Sequence, residues 1–187
     1  MSRNKTFDID KAIENAMEVF WEKGYEGTSM QDLVDALGLS RSSIYETFGS
    51  KKDLYLVALD KYEDQADDSL GSILYEKGPA KDVLIRFFNK VIEHNLPKSC
   101  FMVNATLEMT AHPDVTGRTK SNTSNSERAF YQLLARASTN GEIKGNPDLR
   151  ALSQYLVNVK YGISVSAVTS DRQTLDNIVS MSLNFLR

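Results

Sequence analysis

A cluster of hydrogen-bonding side chains occupies positions 40 to 43, where Arg41 lies among three serines, Ser40, Ser42 and Ser43. An arginine can donate two parallel hydrogen bonds to the edge of a guanine, whereas a serine hydroxyl makes single contacts that select bases less strongly. Ser40 can also cap a helix, because its oxygen accepts bonds from the amides of the first turn. The spacing therefore predicts a short helix that presents Arg41 and Ser42 at its N-terminal end.

Catalytic chemistry has no comparable candidate in the sequence. His94 and His112 are the only histidines, and Cys100 is the single cysteine. Neither Cys-x-x-Cys, His-Glu-x-x-His, a P-loop nor Gly-x-Gly-x-x-Gly occurs. We therefore expect no enzymatic activity, no metal and no cofactor. Lys98 could stabilise a thiolate at Cys100, but a buried, unreactive cysteine is the interpretation that we favour.

Length and composition indicate a folded cytoplasmic protein. The 187 residues include 41% hydrophobic and 25% charged residues, with a net charge of -3, and these values are ordinary for a globular chain. No run of eighteen apolar residues occurs, so we expect no membrane span. The single cysteine agrees with a reducing compartment. Because the whole chain is slightly acidic, any nucleic-acid site has to be a local surface.

Apolar residues recur every three or four positions along most of the chain, which predicts an all-α fold of about nine helices. The first helix is expected to begin near Ile9 and to end at Gly24. Thr28 or Ser29 can cap the second helix, and Gly38 stops it. Only one residue then separates that glycine from the cap of the short polar helix, so the two helices should meet at a tight turn.

Beyond these three helices the sequence predicts a long connecting helix and five more. The fourth helix is expected from Lys51 to about Tyr75, with Ser50 as its cap. The polar run over residues 119–126 has a poor helix propensity, and we interpret it as a solvent-exposed face or a frayed start of the seventh helix. The remaining helices are predicted over residues 79–95, 101–110, 113–138, 147–169 and 172–186.

Several features of the N-terminal segment occur together and in register. A helix ends in Gly24-Tyr25, a capped second helix follows, Gly38 makes the turn, Ser40 caps the third helix, and Lys51 opens the fourth. Over roughly residues 9–55 this combination resembles the head of the TetR family of transcriptional regulators. The resemblance implies a three-helix, helix-turn-helix DNA-binding domain at residues 1–50 and a larger helical ligand-binding and dimerisation domain at residues 51–187.

The resemblance implies roles for the polar residues of the head. A recognition helix enters the major groove with its N-terminal residues nearest the bases, while the preceding helix crosses the backbone. Sequence specificity should then depend mainly on Arg41, and the family pattern places Thr28, Tyr45 and Lys51 at phosphates. The predicted DNA-binding residues are Thr28, Ser40, Arg41, Ser42, Ser43, Tyr45, Thr47 and Lys51.

Two residues depart from the family pattern. Thr47 stands where the family usually has histidine or an aromatic residue, and Glu46 adds a carboxylate to the helix that would face phosphates. Residues 1–52 contain seven basic and nine acidic residues, a net charge of -2. We therefore expect few ion contacts per subunit and a modest salt dependence of DNA binding. A helical protein-interaction module that has lost DNA binding is the alternative that these charges keep open.

For the second domain, the resemblance implies a pocket for a small, partly apolar effector and a homodimer that binds palindromic double-stranded DNA. The family usually represses transcription until its effector binds. Helices five to seven usually surround the pocket, and the last two helices pair across the dimer axis. The candidate ligand residues are Phe87, Phe88, Val91, Phe101, Met102, Asn104 and Glu108. The candidate dimer residues are Leu152, Leu156, Val159, Ile163, Ile178 and Phe185, each of which could instead pack within its own subunit.

Overall fold

The computed structural model describes residues 7–95 and 98–187, which form an all-α structure. In these residues the only extended pairing is an isolated bridge between Ile143 and Leu186, and no helix is long and apolar enough to cross a membrane. The helices are α1 (Ile9–Gly27), α2 (Met30–Leu37), α3 (Arg41–Phe48), α4 (Lys51–Ser69), the 3-10 helix η1 (Gly71–Tyr75), α5 (Ala80–Asn95), α6 (Phe101–Glu108), α7 (Pro113–Thr139), α8 (Leu149–Ser166) and α9 (Arg172–Ser182). The predicted fold class is confirmed.

The turn between α2 and α3 follows from local sequence signals. Ser29 caps α2: its hydroxyl accepts a bond from the Asp32 amide at 3.1 Å, and the Asp32 carboxylate accepts one from the Ser29 amide at 2.8 Å. This reciprocal pair is a capping box. Gly38 ends α2 with a φ of 64°, a left-handed conformation that suits glycine. Ser40 then caps α3, as the sequence predicts.

The first stretch of α1 ends at Gly24, as predicted, and a short helical turn continues beyond a bend at this residue. Gly24 has a φ of 72°, and the helical turns resume as far as Gly27. Glu108, at the C-terminal end of α6, accepts hydrogen bonds from the backbone N–H groups of Tyr25 and Glu26, both at 2.8 Å. A Cβ at Gly24 would lie only 2.8 Å from the Glu108 carboxylate. The glycine therefore permits both the bend and the close approach of α6.

Helix α4 ends earlier than the apolar pattern predicts. It ends at Ser69, not at Tyr75, and the chain continues as the 3-10 helix η1. Leu70 and Leu74 are buried in a core that they share with α5, α7, α8 and α9, the helices that we call the body. Leu70 lies at the junction of the two helices and Leu74 lies within η1, so both ends of this junction contribute to the same core.

Helix α9 also ends early, at Ser182 and not at Leu186. The residues after it pair with the segment that precedes α8: the Lys144 amide donates to the Phe185 carbonyl at 2.8 Å, and the Arg187 amide donates to the Glu142 carbonyl at 2.9 Å. Backbone bonds to a distant segment thus replace the last helical turn. The other helix ends lie within three residues of their predicted positions.

Buried apolar side chains form two clusters. The head–body cluster includes Phe20 and Ile44 of the head together with Tyr55 of α4 and Phe101 of α6. The body cluster joins α5, α7, α8 and α9. The Tyr55 and Phe101 rings meet edge to face with centroids 5.4 Å apart. The proposed domain boundary after residue 50 stays a prediction, and the head–body cluster spans it.

Candidate nucleic-acid interface and effector cavity

Helix α3 presents polar side chains outward from the head. Arg41, Ser42, Tyr45 and Thr47 are exposed, while Ile44 on the opposite face is buried in the head–body cluster. Within residues 7–95 and 98–187, Arg41 takes part in no ion pair and no side-chain hydrogen bond. Its guanidinium can therefore donate to a partner outside the chain.

Three hydroxyl groups fix the first turn of α3. The Ser40 hydroxyl lies 3.0 Å from that of Ser42 and 2.9 Å from that of Ser43, and it accepts a bond from the Ser43 amide at 3.2 Å. The Thr47 hydroxyl donates to the Ser43 carbonyl at 2.8 Å. All four hydroxyl groups therefore have partners within α3 or its cap, and those of Ser42 and Thr47 lie on the exposed face of the helix.

The three residues predicted at phosphates have different surroundings. Tyr45 is exposed. The Lys51 ammonium lies 4.4 Å from the centroid of the Tyr25 ring, a cation–π contact that holds it at the start of α4. Thr28 is only 1% exposed, and its hydroxyl donates to the Gly24 carbonyl at 2.6 Å. Thr28 thus supports the bend in α1, and a phosphate contact by its side chain would require a new partner.

Several cations of the head already have carboxylate partners. Lys23 binds Asp32 at 2.6 Å, and Lys52 binds Asp114 of α7 at 2.8 Å. The hydrogen bond from Lys23 is the main cause that lowers the pKa of Asp32 well below its usual range, so this carboxylate stays ionised and keeps its lysine. On α3 and the first turn of α4, no carboxylate of the described residues pairs with Arg41 or Lys51.

A cavity of about 390 Å³ opens in the body beside the end of α4. This volume lies within the usual range for small-molecule sites. Its apolar wall consists of Ala66, Leu70, Leu74, Phe87, Ala129 and Phe130. Its polar wall includes Asp67, Asp68, Ser72, Asn122, Asn125, Ser126, Arg128 and Lys160. The cavity therefore combines a hydrophobic surface with hydrogen-bonding and charged groups.

Three of the predicted ligand residues lie in the body cluster. Phe87 lines the cavity. Phe88 and Val91 are buried in the same cluster but do not line it. The Phe87 and Phe130 rings meet edge to face at 5.3 Å, so two aromatic side chains from α5 and α7 form one wall.

The other four predicted ligand residues lie near the head. Phe101 and Met102 belong to the head–body cluster. Asn104 accepts a hydrogen bond from the Ser99 hydroxyl, and Glu108 is occupied by the amides after the bend in α1. Helix α6 therefore contacts the head, and these four side chains do not line the cavity beside α4.

The polar run at the start of α7 contributes cavity residues that the apolar pattern missed. Residues 119–126 lie in a continuous helix, so the expectation of a frayed start is wrong. The expectation of a solvent-exposed face holds for Lys120, Ser121, Ser124 and Asn125, whereas Thr119 and Asn122 on the other face are buried. Asn122, Asn125 and Ser126 line the cavity. Spacings of three and four between positions 119, 122 and 126 place small polar residues on one helix face. The same spacing is visible in the sequence, but a search for apolar periodicity does not find it because these residues are polar.

The candidate dimer residues lie in or against the body cluster. Leu156 and Ile163 are 0% exposed within the single chain, so they pack in their own subunit. The remaining four, Leu152, Val159, Ile178 and Phe185, are partly buried and pack against the same cluster.

A different face of α8 points away from the chain's own core. We define the α8 stripe as Tyr155, Asn158, Gly162 and Val165, all of which are exposed. Their spacings of three and four residues put them on one side of the helix. Gly162 and Val165 also line an open, mainly apolar groove together with Val103 and Leu107 of α6.

Cys100 is buried at the start of α6, where the Tyr62 hydroxyl donates to its sulfur at 3.4 Å. This position is the buried one that we favour from the sequence, although its reactivity remains a prediction. Among the residues with described coordinates, no three His, Cys, Asp or Glu side chains are grouped to hold a metal ion.

The geometry of the head defines the class of protein. Two short helices meet at a tight glycine turn, and the second one exposes a polar N-terminal turn, which is the arrangement of a helix-turn-helix DNA-binding protein. Comparisons with known proteins give the same class. A family model described as "Bacterial regulatory proteins, tetR family" matches residues 12–58.

Two relatives and one solved structure extend the match beyond the head. The HTH-type transcriptional regulator YezE of Bacillus subtilis (strain 168) is 35% identical over 193 aligned positions that cover both chains completely. The HTH-type transcriptional repressor ComR of Escherichia coli (strain K12) is 32% identical over 88% of this chain and 81% of its own. A cysteine mutant of the TetR family regulator CifR, in complex with a 26-bp operator duplex, superposes over both whole chains with a TM-score of 0.86 and 26% identity.

The chain belongs to the TetR family, and it is a DNA-binding transcriptional regulator. This confirms the family resemblance of the N-terminal segment. It also decides against the alternative of a protein-interaction module without DNA binding.

Proposed function

We propose that the protein is a repressor that binds a palindromic operator as a homodimer and is released by a small molecule. The observation that carries the DNA-binding part is the exposed first turn of α3, on which the Arg41 side chain has no partner among the described residues. The repressor ComR supports repression as the mode of regulation, and the operator-bound CifR supports operator DNA as the target. Both resemble this chain along most or all of its length.

The residues of the head divide into base-reading and backbone-binding groups. Arg41 donates a bidentate pair to a guanine and supplies most of the selectivity, and Ser42 adds a single contact. Tyr45 and Lys51 bind phosphates and set the register on the duplex. Ser40 acts as the cap that orients this turn of α3.

Dimerisation follows from the geometry of the target, because one short helix reads only one half-site. Two heads must span half-sites about 34–36 Å apart. We assign the dimer contact to the α8 stripe, the adjoining groove and Met181 of α9. Leu107 in the groove is 73% exposed and Met181 is 70% exposed, and a second copy would remove this apolar surface from water.

The cavity is the proposed effector site because of its position beside the connecting helix. Ala66 and Asp67 near the end of α4 line it, and the same helix begins at Lys51 directly after α3. An effector that displaces this end of α4 would tilt the helix and change the separation of the two recognition helices. Effector and operator then oppose each other by thermodynamic linkage.

Glu108 supplies a second connection between body and head. It holds the last turn of α1 through two backbone amides. A movement of α6 would therefore displace the last turn of α1 in the head even if α4 did not move.

The proposal is tested by measuring binding to short duplexes tiled across the DNA around the protein's own gene, at one fixed salt concentration. We expect one or a few duplexes to bind at least about a thousandfold more tightly than the others. These duplexes should share an inverted repeat, and each should bind two chains. Scrambled duplexes of the same composition are the control. Equal binding to all fragments, or none, would contradict sequence-specific repression.

A further inference from the structure

The four charged residues that line the effector cavity have different exposures. Asp68 and Arg128 are exposed and so lie at the rim, where water screens their charges. Asp67 is exposed as a residue, but burial of its carboxyl raises the pKa of this group, and the nearby Lys160 charge opposes that shift. Lys160 on α8 is only partly exposed. Lys160 is therefore the least exposed of the four charged residues that line the cavity.

Lys160 has few partners for its three N–H donors. Its Nζ donates to the Ser126 hydroxyl at 3.0 Å and lies 5.8 Å from the centroid of the Tyr161 ring. No salt bridge joins it to a carboxylate of the part of the chain that the structure describes. Asp67 and Glu63 attract the ammonium only from longer range.

Burial of this ammonium is unfavourable in the absence of an anion. A desolvated charge is costly unless it is paired and hydrogen-bonded, and burial lowers the pKa of Lys160 for this reason. An acidic group placed in the cavity would supply the missing counter-charge and accept the remaining N–H bonds. Phe87, Phe130, Leu70 and Leu74 would then contact the apolar part of the same molecule.

We propose that the effector is an amphipathic organic acid whose anionic group pairs with Lys160 and Ser126 and whose apolar part packs on Phe87 and Phe130. This assignment rests on the proposed function, because it specifies the ligand of the proposed effector site. Uncharged and cationic molecules of the same size are expected to bind more weakly, because they leave the Lys160 ammonium without a partner.

Two fluorescent probes of the same aromatic skeleton test the charge requirement on the full chain. 1-Anilinonaphthalene-8-sulfonate is an anion, and N-phenyl-1-naphthylamine is its uncharged counterpart. In titrations, Lys160→Met should weaken binding of the sulfonate about tenfold or more, which corresponds to about 1.4 kcal/mol. Binding of the uncharged probe should change less than about twofold by the same reasoning.

Three further variants separate a lost charge from a lost fold. Lys160→Arg should retain sulfonate binding because it keeps the cation, and Lys160→Gln should lose it as Lys160→Met does. Lys120→Met removes a lysine from an exposed position on α7 and should have no effect. Unfolding midpoints of all four variants provide the check on stability. Equal loss of both probes in Lys160→Met, or unchanged sulfonate binding in Lys160→Met and Lys160→Gln, would overturn the proposal.

Operator binding, measured on the same preparations, distinguishes this proposal from the one on which it rests. Selective operator binding together with sulfonate binding that does not depend on Lys160 would refute only the ligand class. Sulfonate binding that depends on Lys160, in a protein with no operator selectivity, would refute the proposed function and leave the anion site supported.

Discussion

Two oppositely charged side chains, Arg41 and Glu46, lie on the exposed surface of α3. In the proposed complex Arg41 meets a base edge, whereas the Glu46 carboxylate faces the negative potential of the phosphates. Glu46 should therefore lower affinity for any duplex without changing which sequence is preferred. The two residues separate the specificity of binding from its overall strength.

We predict that Glu46→Gln tightens binding to operator and unrelated duplexes alike, by roughly threefold to tenfold, because it removes a repulsive charge from the interface. Fluorescence anisotropy with both duplexes measures this. Glu93→Gln, which changes an exposed glutamate near the C-terminal end of α5 that pairs with Lys90, is the matched control outside α3 and should leave both affinities unaltered. Unchanged or weaker binding by Glu46→Gln would place this face of α3 away from the DNA.

The pairing of the other cations in the head predicts a modest salt dependence. Lys23 and Lys52 are engaged by Asp32 and Asp114. Two cations then remain to displace counterions from the duplex, Arg41 in the major groove and Lys51 at the phosphates. Four such groups in a dimer give a slope of roughly -4 in log affinity against log salt concentration. A titration of operator affinity from low to moderate salt would contradict this account if the slope approached about -10.

Residues whose roles depend on nearby sequence could be predicted, and those whose roles depend on distant contacts could not. The Ser40 cap requires only the following turn, and it is confirmed. Thr28 is also polar and lies before a helix, yet it is buried against the bend at Gly24. Gly24 indicates an interruption of the helix, but the neighbouring sequence does not show that Glu108 of α6 takes part in it.

At the scale of elements, the contact between the ends of α1 and α6 connects head and body in addition to α4. Glu108 accepts two backbone hydrogen bonds there, and its charge strengthens both. We predict that Glu108→Ala speeds amide hydrogen exchange at Tyr25 and Glu26 by roughly tenfold. The Asp32 and Leu33 amides of α2 serve as internal controls, since Glu108 does not touch them. Equal exchange rates in variant and wild type would show that this contact does not hold α1.

Helix ends were predictable where capping residues determine them. Ser50 begins α4 through a capping box with Asp53, and the structure confirms this start. Leu70 and Leu74 are buried where α4 gives way to η1, and apolar spacing alone does not show where one helix type replaces the other. The cavity was missed for a related reason, because part of its polar wall comes from residues of α7 that show no apolar periodicity.

For the whole molecule, the dimer contact determines whether two heads act together. Gly162 lies at the centre of the α8 stripe, and a Cβ added there would meet no atom of its own chain within 4 Å. We predict that Gly162→Arg yields a monomer without unfolding the subunit, because the new side chain occupies only the dimer contact. Operator affinity should fall by about a hundredfold or more as the avidity of two heads is lost.

Sedimentation velocity measures the mass of each variant in solution and so distinguishes monomer from dimer. Gly117→Arg provides the control. Gly117 is likewise exposed within a helix, and its Cβ site is also empty, but it lies on α7. A Gly162→Arg protein that remains dimeric would exclude the α8 stripe as the dimer contact. A monomeric Gly117→Arg protein would indicate that the dimer contact lies on α7 instead.

The most direct test of the account is the ratio of affinities for the operator and for a scrambled duplex, measured at one salt concentration for wild type and Arg41→Ala. Arg150→Ala, which removes an exposed arginine from α8, is the control and should retain the wild-type ratio. We predict that Arg41→Ala lowers the ratio at least roughly tenfold, since a bidentate arginine–guanine pair contributes about 1–3 kcal/mol of discrimination. Affinity for the scrambled duplex should change much less. An unaltered ratio would contradict the claim that α3 reads the operator through Arg41.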